Sequence, residues 1–171
     1  MKHILSSIFL LVFITNIQAQ KEIKWASFVR EHDDAWFATP EAKAIAENVL
    51  LYQRNIEKKK KNIQMQNPLT DVQKKELMAL KSDDHNVTTD NGATTQEMLY
   101  LSKMYAKVQD DRYRVAFLAG LDYILEAQYD NGGWPQFYPL KKGYYTHITY
   151  NDDSMVNIME SLEHIFQKND Y

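Results

Sequence analysis

The chain has 171 residues, of which 25% are charged and none is cysteine, and its formal net charge is −3. This length is enough for one domain, and the absence of cysteine excludes a fold held together by disulfides. The slightly acidic balance does not favour nucleic-acid binding, since the one basic run, Lys58 to Lys61, is isolated.

The first twenty residues have the pattern of an export signal. Lys2 and His3 precede an apolar run from Ile8 to Ile14, and the small residue Ala19 stands near the end of the segment. A basic start, an apolar run too short to span a bilayer and a small residue at the end predict a secretory signal peptide, cleaved near Ala19. The alternative is a buried first helix.

Residues 21–171 are then expected to form one exported domain, secreted or periplasmic. No later apolar run is long enough for a membrane helix, so no membrane span is predicted.

Apolar residues recur at helical spacing in five segments, whereas strand signals are scarce. Thr39 with Pro40 and, further along, Thr70 stand where the first turns of helices are expected. The sequence therefore predicts an all-α fold. The five predicted helices cover residues 40–54, 70–80, 94–107, 111–128 and 152–167.

The apolar stripe of each segment predicts the face that its helix buries. The expected core residues are Ala42, Ile45, Ala46, Val49 and Leu50; Val72, Leu77 and Leu80; Met98, Leu99, Leu101, Met104 and Tyr105; Tyr113, Phe117, Leu118, Leu121, Ile124 and Leu125; and Met155, Ile158, Met159, Leu162, Ile165 and Phe166.

A weak internal repeat relates two helix ends. Residues 49–53 resemble residues 124–128, and a loop follows each of them. The predicted helices at Thr94 and Ser154 are each preceded by a cluster of acid and Asn residues. Repeated helix pairs with equivalent loops on one rim predict a stack of α/α pairs, curved or closed into a toroid.

Those two clusters are Asp90-Asn91 and Asn151-Asp152-Asp153. One interpretation is helix capping, because Asp and Asn side chains accept hydrogen bonds from the free N–H groups of a first turn. Capping explains one residue per cluster and gives the others no role. Carboxylate and amide oxygens also suit calcium, which accepts such ligands in a flexible shell. The residues alone leave both interpretations open.

The loop between the last two predicted helices, residues 130–157, is rich in aromatic residues, which favours a binding surface over a simple connection. Gly132 and Gly133 allow a sharp turn, and Pro135 stiffens its exit. Trp134 is then presented in a fixed orientation, either as a platform for a sugar ring or as a plug over the helix ends. The nearby aromatic and basic side chains, Phe137, Tyr138, Lys141, Lys142, Tyr144 and Tyr145, favour a groove for an acidic sugar polymer.

Three strings resemble the family-ten pectate lyases, which are secreted enzymes that cleave polygalacturonate. They are TTDNGATTQEMLYL at residues 88–101, DRYRVAFLAGLDYILEAQYDNGGWPQFYP at 111–139 and HITYNDDSMVN at 147–157. A weaker match combines LLYQRN at 50–55 with NIQM at 62–65. Together they cover most of the chain after residue 35.

The resemblance implies an α/α toroid with a calcium-dependent β-elimination site and polygalacturonate as its partner. Asp90 and Asn91 match substrate and calcium contacts of the family, and Asp152, with Asp153 second, matches the main calcium contact. We expect Asn91 to serve both substrate and metal. The remaining expected substrate-binding residues are Trp134, Tyr145 and His147.

Two departures from the family pattern lower the expected activity. The catalytic base of the family is an arginine in a segment well past the NDD motif, which places it beyond Tyr171, so no catalytic residue is assigned in this chain. The chain is expected to be roughly the first half of the toroid domain. Glu57 to Lys61 also stand where the family commonly has another GGWP. The last predicted helix should then expose an apolar stripe and favour self-association.

Two other functions remain open. A non-catalytic protein that binds acidic oligosaccharides needs the groove and no arginine. An inverting α/α-toroid glycoside hydrolase needs two carboxylates across a cleft, for which Asp90 and Asp152 are the candidates.

Overall fold

Six α-helices account for most of the residues that a computed structural model describes, which are 23–53, 63–80, 88–148, 150 and 153–168. The predicted signal peptide and the segment from Glu57 to Lys61 lie outside these residues. The helices are α1 (Trp25–Glu31), α2 (Pro40–Tyr52), α3 (Asp71–Ala79), α4 (Thr95–Val108), α5 (Asp111–Glu126) and α6 (Ser154–Lys168).

The prediction of an all-α fold is confirmed for the described residues, in which the only strand-like pairing is a single antiparallel bridge between Thr88 and Phe137. All five predicted helices are present, with ends that differ by a few residues. The first helix, α1, was not predicted from the sequence. Three-residue 3-10 turns lie at Trp36–Ala38, Asp90–Gly92 and Tyr144–Thr146.

Side-chain caps mark the residues at which α2 and α3 begin. The Thr39 hydroxyl accepts a hydrogen bond from the backbone N–H of Ala42, and Pro40 occupies the first turn of α2. Thr70 and Gln73 form a reciprocal capping box at the start of α3. Both predicted caps are therefore confirmed.

Helix α4 is the centre of the packing, because it contacts α1, α2, α5 and α6. Gly120 of α5 allows the closest approach, since a Cβ at that position would meet the side chain of Met98. The buried core also takes in residues outside the predicted helices. These are Trp25, Val29, Phe37, Met65 and Trp134.

Several expected core residues are instead exposed. Helix α3 has no buried residue, and its Val72 is 66% exposed. Periodicity alone marks an apolar stripe, but the width of the stripe that is covered depends on which helices pack against it. The expected core positions that the structure exposes are Val72, Leu80, Leu118, Leu125, Met159 and Phe166.

None of the described helices is both long and apolar enough to cross a lipid bilayer.

Candidate functional site

The first acid and Asn cluster forms a 3-10 turn, Asp90–Gly92, ahead of α4. Asp90 is buried, and its Oδ2 accepts a hydrogen bond of 2.9 Å from Nε2 of Gln136. Asn91 adopts the left-handed conformation, with φ 54° and ψ 31°, and its side chain is exposed. Asn tolerates this conformation better than most residues. The turn therefore presents one buried carboxylate beside one exposed amide.

Helix capping does not account for this turn. The N-cap residue of α4 is Thr94, and it makes no side-chain cap bond. The Thr95 hydroxyl instead donates to the carbonyl of Gly92 at 3.1 Å. The structure therefore does not support capping of α4 by Asp90 or Asn91, and the metal and substrate interpretations stay open for both.

The second cluster lies at the start of α6. Asp153 directly precedes Ser154, has a φ of 55° and is exposed. Asn151 and Asp152 lie outside the described residues, so the expected main calcium ligand has no structural account here. An exposed carboxylate on a left-handed residue is a second oxygen donor at a helix start.

A buried hydrogen bond brings the two clusters to one place. Thr89 Oγ1 and Ser154 Oγ lie 2.7 Å apart, and each residue is almost fully buried. Thr89 directly precedes Asp90, while Ser154 directly follows Asp153. The Asp90–Gly92 turn also packs against α6. The helix starts that the sequence only suggested to be equivalent are therefore neighbours.

The glycines of the aromatic loop have two different roles. Gly132 has a φ of +85°, and the backbone N–H of Gly132 donates to the carbonyl of Tyr129 at 2.8 Å. Gly133 has no positive φ, but a Cβ at this position would overlap the side chain of Ile148. The first glycine allows the turn, and the second allows close packing against the far end of the loop.

Trp134 is buried, with 5% of its surface exposed. Its indole N–H donates to the carbonyl of Ile124 at 2.8 Å, so the ring closes over the last turns of α5. A ring covered in this way has no open face for a sugar. Of the two interpretations of Trp134, this geometry favours the plug.

A separate aromatic cluster stands further along the loop. The rings of Phe137 and Tyr145 meet edge to face with centroids 5.1 Å apart, and those of Tyr144 and Tyr145 are 4.0 Å apart. The Lys141 ammonium lies 4.9 Å from the Phe137 centroid and 5.6 Å from that of Tyr145. Tyr144 is exposed, Tyr145 is half-buried and Lys141 is exposed. Rings beside a cation suit an acidic sugar.

His147 lies just beyond this cluster and is exposed. Its backbone N–H donates to the carbonyl of Tyr144 at 3.2 Å, which closes the 3-10 turn Tyr144–Thr146. The phenol of Tyr129 donates to the carbonyl of Thr146 at 2.6 Å and ties the turn back to the glycine turn. The loop is thus internally braced rather than loosely connected.

The two clusters carry carboxylate and amide oxygens, which are donor types that calcium accepts. Within the described residues, no group of three or more His, Cys, Asp or Glu side chains could hold a metal ion. The expected ligand set is Asn91, Asp152 and Asp153; the first is an amide and the second lies outside those residues. The described donors, an exposed amide and an exposed carboxylate, fit a hard cation.

The arginines of α5 are engaged in ion pairs. Arg112 donates to Glu47 Oε1 at 2.8 Å and to Asp110 Oδ2 at 2.6 Å. These bonds raise the pKa of Arg112 above its ordinary value. Arg114 bonds Asp111 at 3.3 Å. Both guanidinium groups are therefore bonded to carboxylates in the structure.

Three residues that organise the site were not predicted from the sequence: Thr89, Ser154 and Gln136. Hydroxyl and amide side chains of this kind are common in loops, so their types gave no signal. The one signal in the sequence is position: Thr89 adjoins Asp90, Ser154 adjoins Asp153, and Gln136 lies inside the NGGWPQFYP string.

Similarity to known proteins extends over most of the chain. The family model of pectic acid lyase matches residues 53–171. No curated protein matches. Two solved structures, the family 10 polysaccharide lyase from Cellvibrio cellulosa and a point mutant of it in complex with trigalacturonic acid, each share 27% identity with this chain at a TM-score of 0.62.

Each of these alignments covers 86% of this chain and 42% of the solved chain. The chain therefore spans less than half the length of the lyases that it matches. Together with the helices described above, this similarity confirms the predicted family and the predicted α/α toroid class. The chain corresponds to the aligned part of that toroid.

Proposed function

Because this chain belongs to the pectic acid lyase family, we propose that it supplies the calcium-binding and polygalacturonate-binding residues of a pectate lyase. The observation that carries the proposal is the 2.7 Å contact between Thr89 and Ser154, which places the Asp90-Asn91 turn beside Asp153. A polyuronate is a substrate that needs both a cation and a groove with aromatic walls.

Asn91, Asp152 and Asp153 are the proposed calcium ligands. Calcium held by these residues would neutralise the uronate carboxylate and so lower the cost of the charge that develops when the neighbouring proton leaves. The buried Asp90 is proposed to orient the substrate, with Asn91 serving both partners. The donor set, carboxylates plus an amide oxygen, supports calcium over a softer metal.

The aromatic cluster is proposed as the second half of the substrate site. Lys141 offers a positive charge to a uronate carboxylate, and Tyr145, with exposed Tyr144 beside it, offers a ring face to the sugar. His147 follows on the same exposed turn. Trp134, which is buried and bonded to the carbonyl of Ile124, is not proposed to touch the sugar.

The proton acceptor is not assigned to this part of the chain. Arg112 is held by Glu47 and Asp110, and Arg114 is paired with Asp111. We expect the base to come from the arginine of the family pattern, so the residues described here bind and orient the substrate.

Calorimetry with trigalacturonic acid tests the binding proposal directly. The chain should bind it in calcium and lose binding in EDTA. Asp153→Asn should weaken binding about tenfold, because a charged ligand to the metal is lost. The matched control Asp130→Asn, at an exposed position of the same loop, should bind like the unaltered chain. Binding that is indifferent to EDTA and to Asp153→Asn contradicts the proposal.

The aromatic part of the site has its own control. Tyr145→Ala should weaken binding of trigalacturonic acid, while Tyr145→Phe, which keeps the ring, should leave it nearly unchanged. Equal loss in both variants would mean that the phenol, and not the ring face, is what binds.

Incubation with polygalacturonate distinguishes the three hypotheses: a lyase, a hydrolase and a non-catalytic binding protein. Unsaturated products that require calcium indicate a lyase, and saturated ends that form without calcium indicate the hydrolase alternative. Calcium-dependent binding without any product is the result expected of a non-catalytic binder. Family membership favours the lyase over the hydrolase.

We also propose export and self-association. Residues 1–20 are proposed as a signal peptide, and the N-terminal sequence of the exported protein should begin just after Ala19. Self-association is proposed through the exposed face of α6, where Val156, Met159 and Phe166 are all at least half exposed. Analytical ultracentrifugation of Phe166→Lys should show a smaller species than the unaltered chain.

A further inference from the structure

Gln136 is a buried polar residue at the back of the candidate site. Only 4% of its surface is exposed, and its Nε2 donates to Asp90 Oδ2 at 2.9 Å. Its Oε1 is buried, and no described group bonds to it. The reversed orientation of the amide would set Oε1 against the Asp90 carboxylate, so the contact itself fixes which end donates.

The backbone around Gln136 holds the same turn. The carbonyl of Gln136 accepts a hydrogen bond of 2.6 Å from the Thr88 hydroxyl. That hydroxyl in turn accepts from the backbone N–H of Asp90 at 3.1 Å. Thr88 also pairs with Phe137 in the single antiparallel bridge. The loop therefore holds Asp90 in two ways: Gln136 bonds its side chain directly, and Thr88, which is bonded to Gln136, holds its backbone.

A glutamine is a costly way to fill a buried space. Burying an amide oxygen without a partner costs free energy, and an apolar side chain of the same length avoids that cost. What glutamine provides here and methionine does not is the N–H that faces Asp90. The donor is charge-assisted, because its acceptor is a carboxylate.

From these contacts we infer that Gln136 is a positioning residue for the substrate site: it holds the buried Asp90 carboxylate, and with it the Asp90–Gly92 turn, in the orientation that presents the exposed Asn91 to the uronate polymer. The inference rests on the proposed function, since it gives Gln136 a role only through Asp90. Gln136 thereby links the aromatic loop to the Asp90-Asn91 cluster.

The test compares Gln136→Met with the unaltered chain in calorimetric titrations with trigalacturonic acid at saturating calcium. Gln136→Met keeps the length and removes the donor, so the Kd should rise about tenfold. Gln128→Met is the matched control, because that exposed glutamine also donates through Nε2, to Gly132, and touches no carboxylate. Its Kd should stay within about twofold.

A role in packing alone is separated from positioning by a double-mutant cycle. In an Asp90→Ala background, Gln136→Met should change the Kd less than about twofold, since the acceptor of the Gln136 hydrogen bond is gone. Circular dichroism must show full helix content for each variant. If Gln136→Met does not fold, Gln136→Asn replaces it, since it stays neutral and its amide, one methylene shorter, is drawn back from Asp90. Its Kd should also rise about tenfold.

The outcomes distinguish the inference from the proposed function. An unaltered chain that does not bind trigalacturonic acid overturns both. An unaltered chain that binds, together with a folded Gln136→Met of unchanged Kd, overturns the role of Gln136 alone. An equal loss in both backgrounds also overturns it, because Gln136 then acts independently of Asp90.

Discussion

Thr89 Oγ1 and Ser154 Oγ are 2.7 Å apart although the two residues are separated by 65 positions in the chain. Both are buried, and each adjoins one acid cluster of the candidate site. The contact is the direct side-chain link between the Asp90–Gly92 turn and the first residue of α6. The geometry of the site therefore depends on a pair of hydroxyls.

Removing either hydroxyl of this pair should destabilise the fold, and the two losses of unfolding free energy should not be additive. Thr89→Val or Ser154→Ala leaves a buried hydroxyl without its partner, which costs about 1–3 kcal/mol. The double variant should cost less than the sum of the two single variants, since neither unpaired group remains. Urea unfolding followed by circular dichroism measures all three.

The matched control for this cycle is Ser161→Ala in α6. The Ser161 hydroxyl donates to the carbonyl of Asn157 within its own helix, so its loss should cost less than about 1 kcal/mol. Strict additivity of the Thr89 and Ser154 effects would show that the contact contributes nothing to stability.

We expect Trp134 to stabilise the fold and not to bind the sugar. Trp134→Ala removes a large buried ring and should cost about 3–5 kcal/mol. Trp134→Phe keeps most of the ring but leaves the Ile124 carbonyl without the indole N–H, so we expect a loss of about 1–2 kcal/mol. Thermal unfolding gives both values. The folded Trp134→Phe should bind trigalacturonic acid with unchanged Kd, and a tenfold weaker Kd would restore the platform interpretation.

The long helices were predictable because each combines a periodic apolar stripe with a local start signal. Thr39 and Thr70 cap where expected, and α4 and α5 bury the centres of their stripes. Helix α1 was missed because its seven residues are too few for a periodic signal, and its burial depends on Trp25 and Val29 meeting α4. Leu118 and Leu125 show the opposite error, since they lie at the edge of a stripe that no described helix covers.

The sequence predicted that Asp90 and Asp153 stand at helix starts of one rim, and it did not predict the residues that support them. Asp90, Asn91 and Asp153 stand out because helix starts rarely need so many oxygen donors. Trp134 was left open, because the sequence cannot show whether a ring lies on a surface or under one. Gln136 and Ser154 gave no signal, since a partner far away in the chain defines their role.

Adding a single methyl group at Gly133 should destabilise the fold. Gly133→Ala forces a Cβ into the side chain of Ile148, so we expect a loss of about 1–3 kcal/mol. Truncating the neighbour in Gly133→Ala/Ile148→Ala should recover part of that loss relative to the sum of the two single variants. Gly132→Ala is the comparison, because it meets no atom and costs only the strain of a φ of +85°, about 1 kcal/mol. Equal effects at the two glycines would contradict the packing role of Gly133.

Asp110 should make the stability of the fold depend on acid pH. It caps α5 by accepting from the Arg112 backbone N–H at 3.0 Å, and hydrogen bonds from the Arg112 side chain hold the pKa of this carboxyl below its ordinary value. A carboxyl whose pKa is lower when folded stabilises the fold at pH values above its unfolded pKa. That contribution falls away as the pH drops from about 4 through the folded pKa.

Asp110→Asn isolates the charge, because asparagine is also a good N-cap. The difference in unfolding free energy between the unaltered chain and Asp110→Asn should be constant above about pH 5 and shrink towards pH 2. Ser161→Ala serves as the control, since it removes a hydroxyl within α6 and no titratable group. Its profile should run parallel to that of the unaltered chain. A difference for Asp110→Asn that grows on acidification has the wrong sign and would show that the Arg112 contact does not lower the pKa of this carboxyl.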